Sequence, residues 1–125
     1  MLAELNPHPE DIVMLKEWND YRDSLIAATK RLGELNPDLM AGYRAMGQLA
    51  IKPGKLDRKT HELIALGVAI TLRCDGCISA HVHGAKRAGA TEEEIAEALG
   101  AAAMVNTGAA LVYSAHVIDA FNNAK

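Results

Sequence analysis

Apolar residues recur in steps of three and four along most of the chain, a spacing that predicts helices throughout. The first stripe is Leu15, Trp18, Tyr21, Leu25, Ala28 and Leu32, on a helix expected from about Glu10 to Arg31. Lys16, Asp20, Arg22, Asp23 and Lys30 fall between these positions as its solvated face, and Gly33 stands where a stop is expected. Asn36-Pro37 has the residue types that cap and open a second helix, which runs to about Ala50 ahead of Pro53-Gly54. Asp57 can cap a third, from Arg58 to about Leu72. That helix is apolar nearly all round after Glu62, so it is expected to be buried. The run from Leu63 to Leu72 also suits a buried strand, because it is short and contains Ile and Val. The Asp57 cap and the helical text on both sides favour the helix. A fourth helix starts at Asp75-Gly76 and runs to about Ala88, with Gly89 as its stop. Thr91, with Glu94 three positions on, is a capping box that opens a fifth. The fifth is expected to end near Asn106-Thr107-Gly108, and a sixth, Ala109 to Phe121, closes the chain.

The expectation is therefore an all-α fold of about six helices in a single domain, residues 1–125. Composition agrees: half of the residues are apolar but only 4% are aromatic, so Ala, Leu, Ile and Val must fill the core. Small aliphatic side chains suit close-packed helices better than a sheet. The net charge is -3 and no basic run of five residues occurs, which argues against a nucleic-acid partner. The first residues, with Glu4, Glu10 and Asp11, lack the basic start and apolar stretch of a signal peptide. The longest apolar run, Leu63 to Ile70, falls far short of the roughly 20 residues of a membrane span. A cytoplasmic protein with no membrane partner is expected.

The chemistry concentrates in Cys74-Asp75-Gly76-Cys77-Ile78-Ser79-Ala80-His81. Two cysteines three positions apart, in a reducing compartment, read as a redox pair or as metal ligands. At a helix start they can close a disulfide within one turn. The helix N-terminus there favours the thiolate, which is the reactive form of cysteine. His81 lies four residues after Cys77 on the same face and can take a thiol proton. Glu62 lies twelve residues before Cys74, about 18 Å away along a straight helix. A hairpin turning near residues 71 to 74 would bring it back level with His81, whose ring a buried carboxylate would orient. The plainer alternative for Glu62 is a solvent-facing acid in the first turn. His61, His83 and His116 read as surface or interface residues. A c-type haem site requires His directly after the second Cys, where Ile78 stands. Zinc held by Cys74, Cys77 and His81 would need a fourth ligand from Glu62, His83 or His61, and no second Cys pair exists. No metal and no cofactor are expected.

The spacing Glu62, Cys74, Cys77, His81 resembles the core signature of alkylhydroperoxidase AhpD-like proteins, in the wider carboxymuconolactone decarboxylase family. Leu56-Asp57-Arg58-Lys59-Thr60 before the Glu and Ala85 to Thr91 after the His agree with it, and the likeness covers about residues 37–121. The resemblance implies an all-helical AhpD-like fold that assembles into trimers or hexamers. It implies peroxidase or disulfide-reductase activity through Cys74 and Cys77, with Glu62 and His81 as a proton relay. It further implies a hydroperoxide substrate and a dithiol reductant, in some members a lipoyl-bearing protein. Gly76 stands where other members carry a second histidine, directly before the second cysteine. His81, one turn beyond Cys77, nominates Cys77 as the attacking thiol and Cys74 as the resolving one. The helix dipole points instead to Cys74 as the more acidic thiol. The family's other branch suggests an alternative, a lactone acid decarboxylase using Glu62 and His81 without thiol chemistry. A zinc-binding helical oligomerisation module is the non-enzyme alternative.

Overall fold

The computed structural model describes residues 14–52 and 54–125. Among these the protein is helical without strands: α1 (Trp18–Leu35), α2 (Pro37–Ile51), α3 (Arg58–Leu72), α4 (Asp75–Arg87) and α5 (Glu92–Asn123). The strand alternative for Leu63 to Leu72 is thereby set aside. The polar N-terminus, the start of the first helix from Glu10 to Val13, and Pro53 lie outside the described residues.

Local capping chemistry fixes most boundaries. The Asn36 side chain accepts from the Leu39 N–H at 3.2 Å and opens α2 at Pro37. Asp57 accepts from the Thr60 N–H at 2.8 Å and opens α3. These bonds from Thr60 hold the Asp57 carboxyl below the usual carboxylate range. Thr91 and Glu94 form the reciprocal capping box of α5. Arg73 closes α3 in the left-handed region, φ 53°, where glycine is the usual residue. The Cys74 N–H donates back to the Ala69 carbonyl, so the chain reverses at Arg73-Cys74 and α4 returns along α3.

Three expectations are corrected. α1 begins at Trp18 and continues through Gly33 to Leu35, and Asn36 caps its end by donating to the Leu32 carbonyl. Gly33 serves packing instead: a Cβ there would lie 2.7 Å from Met40 Cγ, so its absence lets α2 fold back closely. The expected fifth and sixth helices are one, which makes five helices in place of six. The polar group Asn106-Thr107 does not break α5, because both side chains find acceptors within its helix. Asn106 donates to the Ala102 carbonyl and Thr107 to that of Ala103. Asn106 also donates to Thr71 Oγ1 at 2.8 Å, which pins α5 to the end of α3. Finally, α3 is buried on one side only. Glu62, Leu66 and Ala69 face inward, while Ile64, Val68 and Leu72 are exposed.

α3 and α4 form the centre, with α5 against α3, and α1 against α4 and α2. Among the described residues, Leu66, Ala69 and Ala85 are the buried apolar ones. The chain exposes 10684 Å², against roughly 6,500 Å² for a compact monomer of this mass. Along α5, Met104, Val105, Leu111, Val112, Val117, Ile118 and Phe121 are all exposed. By length and composition α5 is also apolar enough to cross a membrane, a feature hidden while the sequence read as two shorter helices.

Lys59 reaches across from α3 to Glu94 of α5 at 2.7 Å. This bond raises the Lys59 ammonium above its ordinary value and lowers the Glu94 carboxyl. A depressed folded-state value adds stability above the unfolded pKa, and that stability disappears as pH falls through the folded one. Glu94→Gln keeps the cap but loses the charge. Its thermal midpoint is expected below the parent's at neutral pH and to converge with it as pH falls below the ordinary carboxyl value of 4.5. Thermal melts of both proteins across that range check this.

Candidate functional site

The α3–α4 hairpin assembles the site. Cys74 is the N-cap of α4, and its Sγ accepts the Cys77 N–H at 3.2 Å. Cys74 and Cys77 are joined as a disulfide with Cα atoms 5.2 Å apart. The half-buried pair therefore lies at the positive end of α4, where N–H groups lack intrahelical partners.

One turn beyond Cys77, His81 Nδ1 lies 2.7 Å from Glu62 Oε2. With the carboxylate ionised, Nδ1–H donates to it, and Nε2 is left as the nitrogen that can exchange a proton. Glu62 is only 4% exposed. Its other oxygen, Oε1, accepts from Arg58 one turn earlier on α3 at 2.7 Å. Both carboxylate oxygens are thus occupied, as a buried charge requires. The solvent-facing alternative for Glu62 does not hold.

Gly84 and Arg58 escaped the sequence reading. A Cβ at Gly84 would come within 2.6–2.8 Å of the carboxyl carbon and both oxygens of Glu62. The bare backbone of α4 at Gly84 is the notch into which the carboxylate fits. Arg58 was legible in principle, since it precedes Glu62 by four residues on one helix face. Gly84 follows His81 by three, so it shares that face. Gly84→Ala is expected to push Glu62 out of register with His81. The overpacking should cost about 1–3 kcal/mol of stability. Denaturant unfolding of parent and variant checks this.

Gly76 has a similar packing reason. A Cβ there would meet Leu25 Cδ2 at 2.9 Å, with the Tyr21 hydroxyl 3.8 Å away. α1 therefore covers the turn between the cysteines, and a histidine at this position would require Leu25 to move.

Beside the Glu62–His81 pair opens a cleft of about 540 Å³, lined by Arg58, Glu62, Ala80, His81, His83, Gly84, Arg87 and Ala88. His83 is exposed on its wall. His61 is half-buried on α3, and His116 is exposed near the end of α5, its ring 4.5 Å from that of Tyr113. Among the described residues no group of three or more His, Cys, Asp or Glu side chains is arranged to hold a metal ion.

The class defined by this geometry is a helical protein with a vicinal cysteine pair and an adjoining carboxylate–imidazole couple. The chain belongs to the carboxymuconolactone decarboxylase family, whose model matches residues 37–120. A Haemophilus influenzae relative of uncharacterised function is 41% identical over 90% of this chain and 99% of its own. Uncharacterized protein 4 in the cox locus of Paracoccus denitrificans is 37% identical over 73% of this chain and 85% of its own. Among solved structures, the apo form of a carboxymuconolactone decarboxylase family protein from Legionella pneumophila superposes with a TM-score of 0.68. It is 34% identical and covers 85% of this chain and 95% of its own. A protein from Methanobacterium thermoautotrophicum gives 0.62 at 30% identity, covering 67% and 94%.

Proposed function

We propose that the protein is a thiol-dependent peroxidase and disulfide oxidoreductase that cycles Cys74 and Cys77 between dithiol and disulfide. The observation that carries this reading is the disulfide at the start of α4 with the Glu62–His81 pair one turn away. Either feature alone has a structural use; together they supply a nucleophile, a resolving thiol and a proton carrier.

Cys77 is the attacking thiol, because His81 stands one turn beyond it and can take its proton through Nε2. The thiolate displaces alkoxide or hydroxide from the peroxide, becomes a sulfenic acid, and the proton goes to the leaving oxygen. Cys74 then attacks the sulfenic sulfur, which releases water and forms the disulfide. The Cys77 N–H aimed at Cys74 Sγ, together with the α4 terminus, favours the thiolate this step needs. An external dithiol, such as a lipoyl group on a protein, restores both thiols by exchange and leaves oxidised itself. Glu62 holds His81 in one tautomer throughout.

The working unit is a homo-oligomer, a trimer or hexamer, in which copies of this chain cover α5. The exposed apolar side chains of α5, Met104, Val105, Leu111, Val112, Val117, Ile118 and Phe121, support this, since a contiguous apolar face of that kind marks an interaction surface. Light scattering in detergent-free buffer is expected to give a multiple of the 13.4 kDa chain mass. A monomer that binds phospholipid vesicles would assign α5 to a membrane instead.

Consumption of hydrogen peroxide and of an alkyl hydroperoxide, driven by dihydrolipoamide, tests the activity. A second reading draws on the cleft, which places Arg58, Arg87 and His83 beside Glu62 and His81 but does not include the cysteines. It suits an acid–base reaction on a carboxylated lactone. Turnover of such a substrate that survives Cys74→Ser/Cys77→Ser would favour it.

A further inference from the structure

We propose that Lys16 is a positioning residue that sets the acidity of Cys74 and the redox poise of the Cys74–Cys77 pair by neutralising Asp75. This rests on the pair being redox-active, but not on peroxide being its oxidant. Asp75 is the first residue of α4, between the two cysteines. A carboxylate in a helix's first turn occupies the positive end of the dipole. A thiolate at Cys74 is then a second negative charge at the same terminus, and like charges disfavour each other.

The structure offsets this from outside the hairpin. Lys16, two residues before α1, makes an ion pair with Asp75 across 59 positions of sequence. Its Nζ lies 4.3 Å from the ring centre of Tyr21 and 5.5 Å from that of Trp18. The two rings meet edge to face at 6.0 Å, so the ammonium has an aromatic seat as well as a charged partner. The same Tyr21 and Leu25 lie over Gly76. Other charged or titratable groups near the pair are Arg73 at the end of α3, the Glu62–His81 couple, and Tyr21 itself. None of them forms an ion pair with Asp75 among the described contacts.

With Lys16 in place the α4 terminus can favour a Cys74 thiolate. Stabilising that thiolate stabilises the dithiol form and makes the disulfide more oxidising. Without Lys16, Asp75 acts unopposed, and the balance shifts toward the disulfide.

The test is a charge cycle on the full chain. Alkylation by iodoacetamide against pH, in a Cys77→Ser background, reports the Cys74 thiol. Equilibration of the two-cysteine protein with glutathione reports the redox poise. Lys16→Met is expected to raise the Cys74 pKa by roughly half a unit to one unit, because the ion pair is part-exposed. At a pH high enough for the Cys74 thiolate to dominate in both proteins, the disulfide should then be favoured by about three- to tenfold. Asp75→Asn is expected to move both readouts the opposite way, without touching Lys16. Lys16→Met/Asp75→Asn should return toward the parent, and Lys16→Arg should match it. The inference is overturned if Lys16→Met leaves both readouts unchanged. It is overturned equally if Asp75→Asn has no effect, or fails to rescue Lys16→Met while circular dichroism shows both folded. Neither readout uses peroxide, so a protein that passes this cycle but consumes no peroxide would contradict only the peroxidase reading.

Discussion

Cys77→Ser is expected to bring peroxide consumption down to the uncatalysed rate, whereas Cys74→Ser retains one turnover. The difference follows from the unequal positions of the two sulfurs. Cys77 is inside α4 with His81 one turn beyond it, while Cys74 is the cap residue whose sulfur accepts the Cys77 N–H. With Cys74 removed, the Cys77 thiolate still attacks, and the enzyme stops as a sulfenic acid that lacks a partner thiol. With Cys77 removed, Cys74 keeps its favoured thiolate, but His81 stands two turns from it in place of one. Single-turnover peroxide loss, with trapping by a sulfenic-acid reagent, separates the two. If Cys77→Ser consumes peroxide at the parent rate, the assignment reverses and the helix terminus, not His81, selects the attacking thiol.

The second large effect is expected at Glu62. Glu62→Ala removes the partner of His81 and leaves Arg58 without its carboxylate. Turnover should fall about 10²-fold, the scale of a general base that has lost its orientation. The same change empties a buried site and leaves the Arg58 guanidinium and the His81 Nδ1–H without their acceptor. Stability should therefore drop by roughly 2 kcal/mol, less than for a fully buried pair because Arg58 and His81 are part-exposed. Glu62→Gln keeps the volume over Gly84 and should retain most of the stability while losing much of the rate. Kinetics and denaturant unfolding on both variants check the split. Equal losses in rate and stability for both would mean that Glu62 only holds the hairpin together.

Elements whose ends are set by local chemistry were legible in the sequence. Asn36-Pro37, Asp57 and Thr91-Glu94 each satisfy helix-terminal N–H groups with neighbours three residues away, and they set the starts of α2, α3 and α5. The meeting of Glu62 with His81 was legible for a related reason, because one turn near residue 73 fixes the register of two adjacent helices. What depends on distant partners was hidden. Asn106 reads as a helix break, and nothing in the spacing shows that Thr71, thirty-five positions away, accepts its amide and pins α5 against α3. Gly33 reads as a stop until Met40 is seen against it. The notch at Gly84 and the reach of Lys16 to Asp75 leave no mark on periodicity, since each is a contact between separate elements. The exposure of α5 was hidden too, because an apolar stripe reads alike whether its own chain or another covers it.

A peroxide is expected to oxidise Cys74 and Cys77 as a redox pair. Intact mass and free-thiol counting on the reduced protein, before and after one equivalent of hydrogen peroxide, test it most directly. The predicted result is loss of both thiols and of two hydrogens, with full recovery on adding a dithiol. Two thiols that stay free, with the mass unchanged, would contradict it.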